Sequence, residues 1–244
     1  MCAAVFVNPN HGFIGLYGVR PKHQNKGIGF TIWKKMMSHH VGSRNAGLYA
    51  VPKHLTMYRD KAGFKHQDSK HLFIYESNFD LKTDDLVKKI HGIKIDVINK
   101  EIMSQVISYD AHVHGYLRSK LLPLTVQEKD TLSLYAFDEI ELKVVGFGCF
   151  RTNNVQKAMT GPLYADNDAI AELLIYELIE TFAIAKQNGL LYMTLDSNPG
   201  GITIAEKLRL EKHEELPRFF TKSVYDHAQW NRIYCIHSPN FSLC

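Results

Sequence analysis

The four cysteines of this 244-residue chain, Cys2, Cys149, Cys235 and Cys244, include no C-x-x-C pair and no spacing that builds a zinc site or a disulfide framework. Reduced thiols are expected. Long apolar runs are also missing: the longest, Leu173 to Ala185, is broken by Glu177 and Glu180 and falls short of the roughly 18 residues a membrane span needs. The opening residues, MCAAVFVNPNHG, lack the basic segment and long apolar core of a secretory leader. A cytoplasmic location, with the nucleus left open, is the expectation. Thirteen histidines are present, but His39 with His40 and His112 with His114 miss the i, i+4 spacing by which a helix grips an ion, so no metal is expected. No short repeat or low-complexity tract is visible.

What is present is the composition of a packed protein, 45% hydrophobic and 22% charged. The net charge of +4 hides an asymmetry. Residues 1–78 carry eleven Lys and Arg against three acids, a net +8, while the remainder carries 18 against 22, a net −4. A basic half of this kind suits a polyanion, either nucleic acid or a phosphate-rich cofactor. The basic residues are not interleaved with stacking aromatics, and no helix-turn-helix or RNA-recognition signature is found, which argues against nucleic acid.

Along the chain, Cys2 to Val7 and Phe13 to Val19 read as antiparallel strands around the turn residues Asn8 to Gly12. Ile28, Ile32, Trp33, Met36 and Met37 then fall on one helical face, in a helix ending near Gly42. A strand at Gly47 to Val51, a helix over His54 to Lys61 and a strand within Phe64 to Tyr75 follow, so a right-handed parallel crossover is expected. Residues 79–91 are polar and read as a linker between a first domain, 1–78, and a second, 92–244. The second contains strands at Ile93 to Ile98, Leu132 to Phe137 and Leu142 to Phe150, and a long helix at Ala169 to Lys186. It continues with a strand at Leu190 to Leu195, a helix at Ile202 to Leu210 and strands at Arg218 to Val224 and Arg232 to His237. The fold class expected is mixed α+β and α/β, with central mixed sheets flanked by helices.

The stretch richest in chemistry is V-R-P-K-H-Q-N-K-G-I-G, where a strand gives way to a helix. Glycines at 27 and 29 remove Cβ atoms where an anion must approach the backbone, and the free N–H groups of a first helical turn favour phosphate oxygens. Neither a Walker A lysine nor the third glycine of a dinucleotide fold is present. Gln24 to Gly29 instead resembles the Q/R-x-x-G-x-G/A signature of the GNAT N-acetyltransferase superfamily. M-Y-R-D-K-A-G-F at Met57 to Phe64 resembles that family's second signature, in which a tyrosine-bearing short helix ends at Gly-Phe. S-R-N-A-G-L-Y-A-V and the C-terminal I-Y-C-I-H-S-P-N-F resemble tandem GNAT proteins.

The resemblance implies a tandem acyl-CoA N-acyltransferase fold and an acetyl-CoA-dependent N-acetyltransferase, with acetyl-CoA as co-substrate. The backbone of Leu16, Tyr17, Gly18 and Val19 would pair with the pantetheine arm. Gln24, Asn25, Lys26, Gly27, Ile28 and Gly29 would hold the diphosphate, and Tyr58 would protonate the departing thiolate. The acceptor would be an amine, on a small molecule or a peptide, and a homodimer stays open. A catalytically impaired acyl-CoA-binding or interaction protein of the same fold is the alternative. His11, Tyr17 and His54 lie near strand edges but read as surface or packing residues, so no general base is assigned.

Relative to the family pattern the first copy reads as truncated, with strands of the second half covering its sheet. In the second copy the equivalent loop is Gly161 to Asp168, which lacks paired glycines and carries Asp166 and Asp168 as helix caps. That copy is expected to be degenerate and to leave coenzyme A unbound.

Overall fold

The computed structural model describes residues 1–78 and 81–240; Cys244 and the first two positions of the 79–91 linker lie outside them. In chain order the elements are β1 (Ala3–Asn8), β2 (His11–Gly15), α1 (Ile28–Lys35), β3 (Asn45–Tyr49), β4 (His66–Glu76), β5 (Ile93–Val97), α2 (Met103–His114) and α3 (Leu121–Val126). Then come β6 (Thr131–Asp138), β7 (Lys143–Thr152), β8 (Ala158–Ala165), α4 (Asp168–Thr181), α5 (Ala183–Asn188), β9 (Leu190–Leu195), α6 (Pro199–Lys207), β10 (Glu211–Phe220) and β11 (Ile233–Cys235). The chain divides into two compact units. The first comprises Met1–Leu72, Leu216–Asp226 and, among described residues, the segment from Ser238 to Asn240; the second comprises Phe73–Glu215 and His227–His237.

In the first unit β1 and β2 form the expected hairpin, with Ala3 facing Gly15 and Phe6 facing Gly12. The β2–α1–β3 connection makes the expected parallel pair, His11 facing Asn45 and Phe13 facing Gly47. A strand from late in the sequence completes this sheet: β10 pairs antiparallel with β3, Arg218 facing Tyr49 and Phe220 facing Gly47. Residue parity sorts the side chains. Ile14, Ala46, Leu48, Ala50 and Phe219 pack with Trp33 and Met36 of the α1 region, while Phe13 stacks on Tyr49 across the other face at 5.3 Å. Beneath β10, Arg218 is fully buried and its Nε donates to Asp68 of β4 at 2.8 Å. Arg59–Asp60, by contrast, is an exposed pair and contributes little.

The second unit is an antiparallel run, β5 to β8, extended by β9 parallel to β8. The helix read as continuous over 169–186 breaks at Phe182, whose ψ of 94° leaves the helical region. The stretch 161–168 read as a loop is mostly β8, and only Asp166 and Asn167 connect it to α4. Asn167, not an aspartate, caps α4 by accepting from the Ile170 N–H at 3.0 Å. Asp168 sits in the first turn, where its charge complements the helix dipole, and accepts from the Tyr234 hydroxyl at 2.6 Å.

Candidate active site

The strand read as continuing to Val19 leaves the ladder at Gly15. Met1 still pairs with Gly18, through Gly18 N to Met1 O at 2.9 Å and the terminal amine to Gly18 O at 2.7 Å. Because Ala3 faces Gly15, three steps along β2 span two along β1: this is a bulge, with Leu16 at φ 53°. A bulge re-aims the groups that follow, and Tyr17 consequently turns toward α1.

Gly27 caps α1 at φ 74°, a conformation that strains any residue with a Cβ, and nothing stands within 4 Å of the Cβ it lacks. The N–H groups of the first turn have no acceptor within the helix. Gly29 also meets a packing demand. A Cβ there would lie 2.6 Å from the Tyr17 hydroxyl oxygen and 3.0 Å from a Val19 methyl, so its bare Cα makes room for packing, whereas the space over Gly27 is open. Gln24 braces the turn from within, its Nε2 donating to Val19 O at 2.9 Å.

Tyr58 reaches the same place from the short helical segment Met57–Lys61. Its ring packs on Trp33 at 5.9 Å and Phe64 at 6.4 Å, and Trp33 in turn meets Tyr17 at 5.3 Å edge-to-face. Such pairs contribute roughly 0.5–1.5 kcal/mol each beyond burial and hold the phenol in place. Among the described residues the Tyr58 hydroxyl makes no hydrogen bond to protein. Burial foremost, and then the neighbouring Tyr17 and Cys2, push its pKa above the ordinary tyrosine range, so it keeps its proton through neutral pH.

These residues border one cleft of about 780 Å³, lined by Tyr17, Gly18, Val19, Gln24, Asn25, Gly27, Gly29 and Tyr58. Leu16, Lys26 and Ile28 do not line it; Ile28 borders a neighbouring hollow beside Val19 and Arg20. The cleft adds residues given no role from the sequence, His23, Phe30, Val51, Lys53 and Met57, and also His54, which the sequence reads as a surface or packing residue. Pro52, at the start of a helical turn directly after β3, was the available signal, since ligands of such sheets gather beyond the strand's carboxyl end. The lining holds Lys53, His23 and His54 and no carboxylate, so its electrostatics favour an anion.

The second unit is arranged differently at the corresponding place. Beyond Ala158 facing Leu190 and Met159 facing Leu191, β8 turns to β11, with Ile233 facing Tyr164 and Cys235 facing Leu163. β11 also holds β9: Ile236 N donates to Met193 O at 3.0 Å and the Tyr192 hydroxyl to Tyr234 O at 2.8 Å. The gap between β8 and β9 is thus filled by buried protein. A hollow of about 440 Å³ nearby is lined by Tyr109, Asp166 and Arg232, with Asp166 accepting from Tyr109 at 2.9 Å and paired with Arg232 at 3.2 Å.

The family model of the acetyltransferase (GNAT) domain matches residues 106–235, more than half of the chain. The chain belongs to the GNAT acetyltransferase family. The matched span lies wholly within the half read as degenerate and takes in neither the stretch 24–29 nor the stretch 57–64. Solved GNAT structures share the fold. A candidate acetyltransferase of Pyrococcus horikoshii aligns with a TM-score of 0.72 at 17% identity, over 98% of this chain and 75% of its own. A GCN5-related N-acetyltransferase of Sphaerobacter thermophilus gives 0.65 at 11% identity over 90% and 75%. A tandem GNAT protein from the clavulanic acid biosynthesis pathway gives 0.52 at 12% identity over 86% and 74%. In sequence, this GNAT chain is 27% identical over 169 residues to an uncharacterized protein of Caenorhabditis elegans, and it spans about half of that relative's length (51%). Among the described residues, no group of three or more His, Cys, Asp and Glu could hold a metal ion, and no helix is long and apolar enough to cross a membrane.

Proposed function

We propose that the chain is an acetyl-CoA-dependent N-acetyltransferase acting on an amine, with the co-substrate held in the cleft of the first unit. One observation carries the reading: Gly27 opens α1 at positive φ with free space over its Cα, in a cleft whose charged lining is cationic. Acetyl-CoA supplies the activated acyl group. The first-turn amides of α1 and the backbone of Asn25 to Gly29 hold the diphosphate, with Lys26 and Lys53 adding charge. The backbone of Leu16 to Val19 lies along the pantetheine arm. Tyr58, kept neutral by burial, holds a proton at its hydroxyl oxygen for the leaving sulfur.

In the same reading residues 1–78 form a partial cofactor-binding copy, 79–91 the linker, and 92–244 a copy that takes no coenzyme A. The occupation of the β8–β9 gap by β11 supports the last assignment. The test is calorimetric titration with acetyl-CoA of the native chain and of Gly27→Glu. Positive-φ strain and a carboxylate in the anion site should weaken binding on the order of tenfold or more. Equal affinities would overturn the site. Mass-detected transfer to a panel of amines then separates catalysis from binding, since binding without product assigns the chain as an acyl-CoA-binding protein.

A further inference from the structure

On the first unit's sheet, Gly15 is covered by the chain's own late residues. A Cβ on Gly15 would stand 2.1 Å from the Asn240 carbonyl oxygen and 2.7 Å from its Cα, so the segment's backbone rests on a bare Cα. The side chain of Asn240 reaches further, and its Oδ1 accepts from the Leu16 N–H at 3.3 Å. The segment is shaped locally for this: Asn240 N donates to Ser238 Oγ at 3.2 Å, and Ser238 is buried. Gly15 shares strand parity with Phe13, so the contact lies on the face opposite α1. The bulge is what frees the amide. Gly18 bonds Met1 on the β1 side, whereas the Leu16 N–H is turned to Asn240.

In the cofactor reading the arm runs from the diphosphate site at Gly27 past Val19 and Gly18 to Leu16, so Leu16 marks its acyl end. We propose that Ser238 to Asn240 form an intramolecular strap over that end, which must release the Leu16 N–H before an acyl thioester is seated there. The inference rests on the proposed function. One N–H serves one good acceptor, and the strap and the acyl end compete for it. The strap is therefore a built-in brake on loading, and anything that draws the segment away relieves it.

Two variants and two probes test this. Asn240→Ala removes the acceptor, and Gly15→Ala places a methyl group where the Asn240 backbone lies. The probes are acetyl-CoA and 3′-phospho-ADP, the nucleotide half of coenzyme A, which reaches only the diphosphate end. Removal of one competing hydrogen bond should tighten acetyl-CoA roughly 2- to 12-fold in each variant and leave 3′-phospho-ADP unchanged. In the native chain, acetyl-CoA should speed amide hydrogen exchange across 238–240. Equal acetyl-CoA affinity in all three proteins with unaltered exchange overturns the strap alone. Equal tightening of both probes also overturns it, because the effect would not lie at the acyl end. Failure of all three proteins to bind either probe overturns the cofactor reading and the strap with it.

Discussion

At Tyr58 burial does two things: it fixes the ring against Trp33 and Phe64, and it raises the energy of the phenolate so that the proton stays on. Tyr58→Phe keeps the packing and removes the proton. Acetyl-CoA affinity should stay within about twofold while turnover falls by about 10²- to 10⁴-fold, read from steady-state rates on whichever amine is found to react. His114 shows the same physics with the opposite charge. It is fully buried, its Nε2 lies 3.1 Å from the Tyr164 hydroxyl, and burial foremost, with the Arg118 charge, holds its pKa well below the usual histidine range. The unfolded chain takes up that proton near pH 6.5 and the folded chain does not. His114 therefore costs no stability above about pH 6.5, and stability falls by about 1.4 kcal/mol per pH unit below it, until the folded pKa is reached. Urea midpoints from pH 7.5 to 4.5 should show this slope in the native chain and a slope smaller by one proton in His114→Gln. At this scale the start of α1 at Gly27 was legible because a turn string followed by helical periodicity is a local signal, although the positive φ there comes from the structure. The packing of Tyr17 over Gly29 was not legible, because the Tyr17 hydroxyl reaches it only through the bulge at Leu16.

Among the elements, β10 is the one whose place decides the first sheet. Its Arg218 donates to Asp68, and both are buried; the Lys70 N–H also donates to that carboxylate at 3.1 Å and the Lys70 ammonium lies 3.7 Å away, so truncating the arginine strips a buried carboxylate of its fully buried partner and leaves it Lys70 alone. Arg218→Ala should destabilise by about 3–5 kcal/mol, whereas Arg218→Met with Asp68→Leu should recover most of the loss, as judged by chemical denaturation. Failure of the double variant to recover would mean that the pair does more than neutralise itself. Most helices and the β1–β2 hairpin were readable because hydrophobic period and turn residues are local signals. Within β8, residues 161–165 read as a loop in the sequence because Gly161-Pro162 punctuates an apolar stretch. The apolar run of α4 conceals its end, since the break at Phe182 lies in backbone angles and not in composition.

For the whole molecule the question is how many co-substrate sites one chain carries. β11 fills the β8–β9 gap of the second unit with its own hydrogen bonds, and the first unit keeps an open cleft beside Gly27. Titration should saturate at one acetyl-CoA per chain. A stoichiometry near two would refute the assignment of the second copy. The sequence by itself determined the family, the mixed fold class and the parallel β2–α1–β3 crossover, and it is the source of the proposed anion site at Gln24 to Gly29 and of the role proposed for Tyr58. All of these rest on short-range patterns in which chemistry and backbone conformation are set by neighbours in the chain. Only the tertiary structure decided that β10 completes the first sheet, that Lys53 and His54 face the cleft, that β11 occupies the second gap and that Asn240 sits on Leu16. Those depend on pairings between residues tens to hundreds of positions apart, such as Asp68 with Arg218 or Leu16 with Asn240, where the free energy lies in contacts that no local window contains.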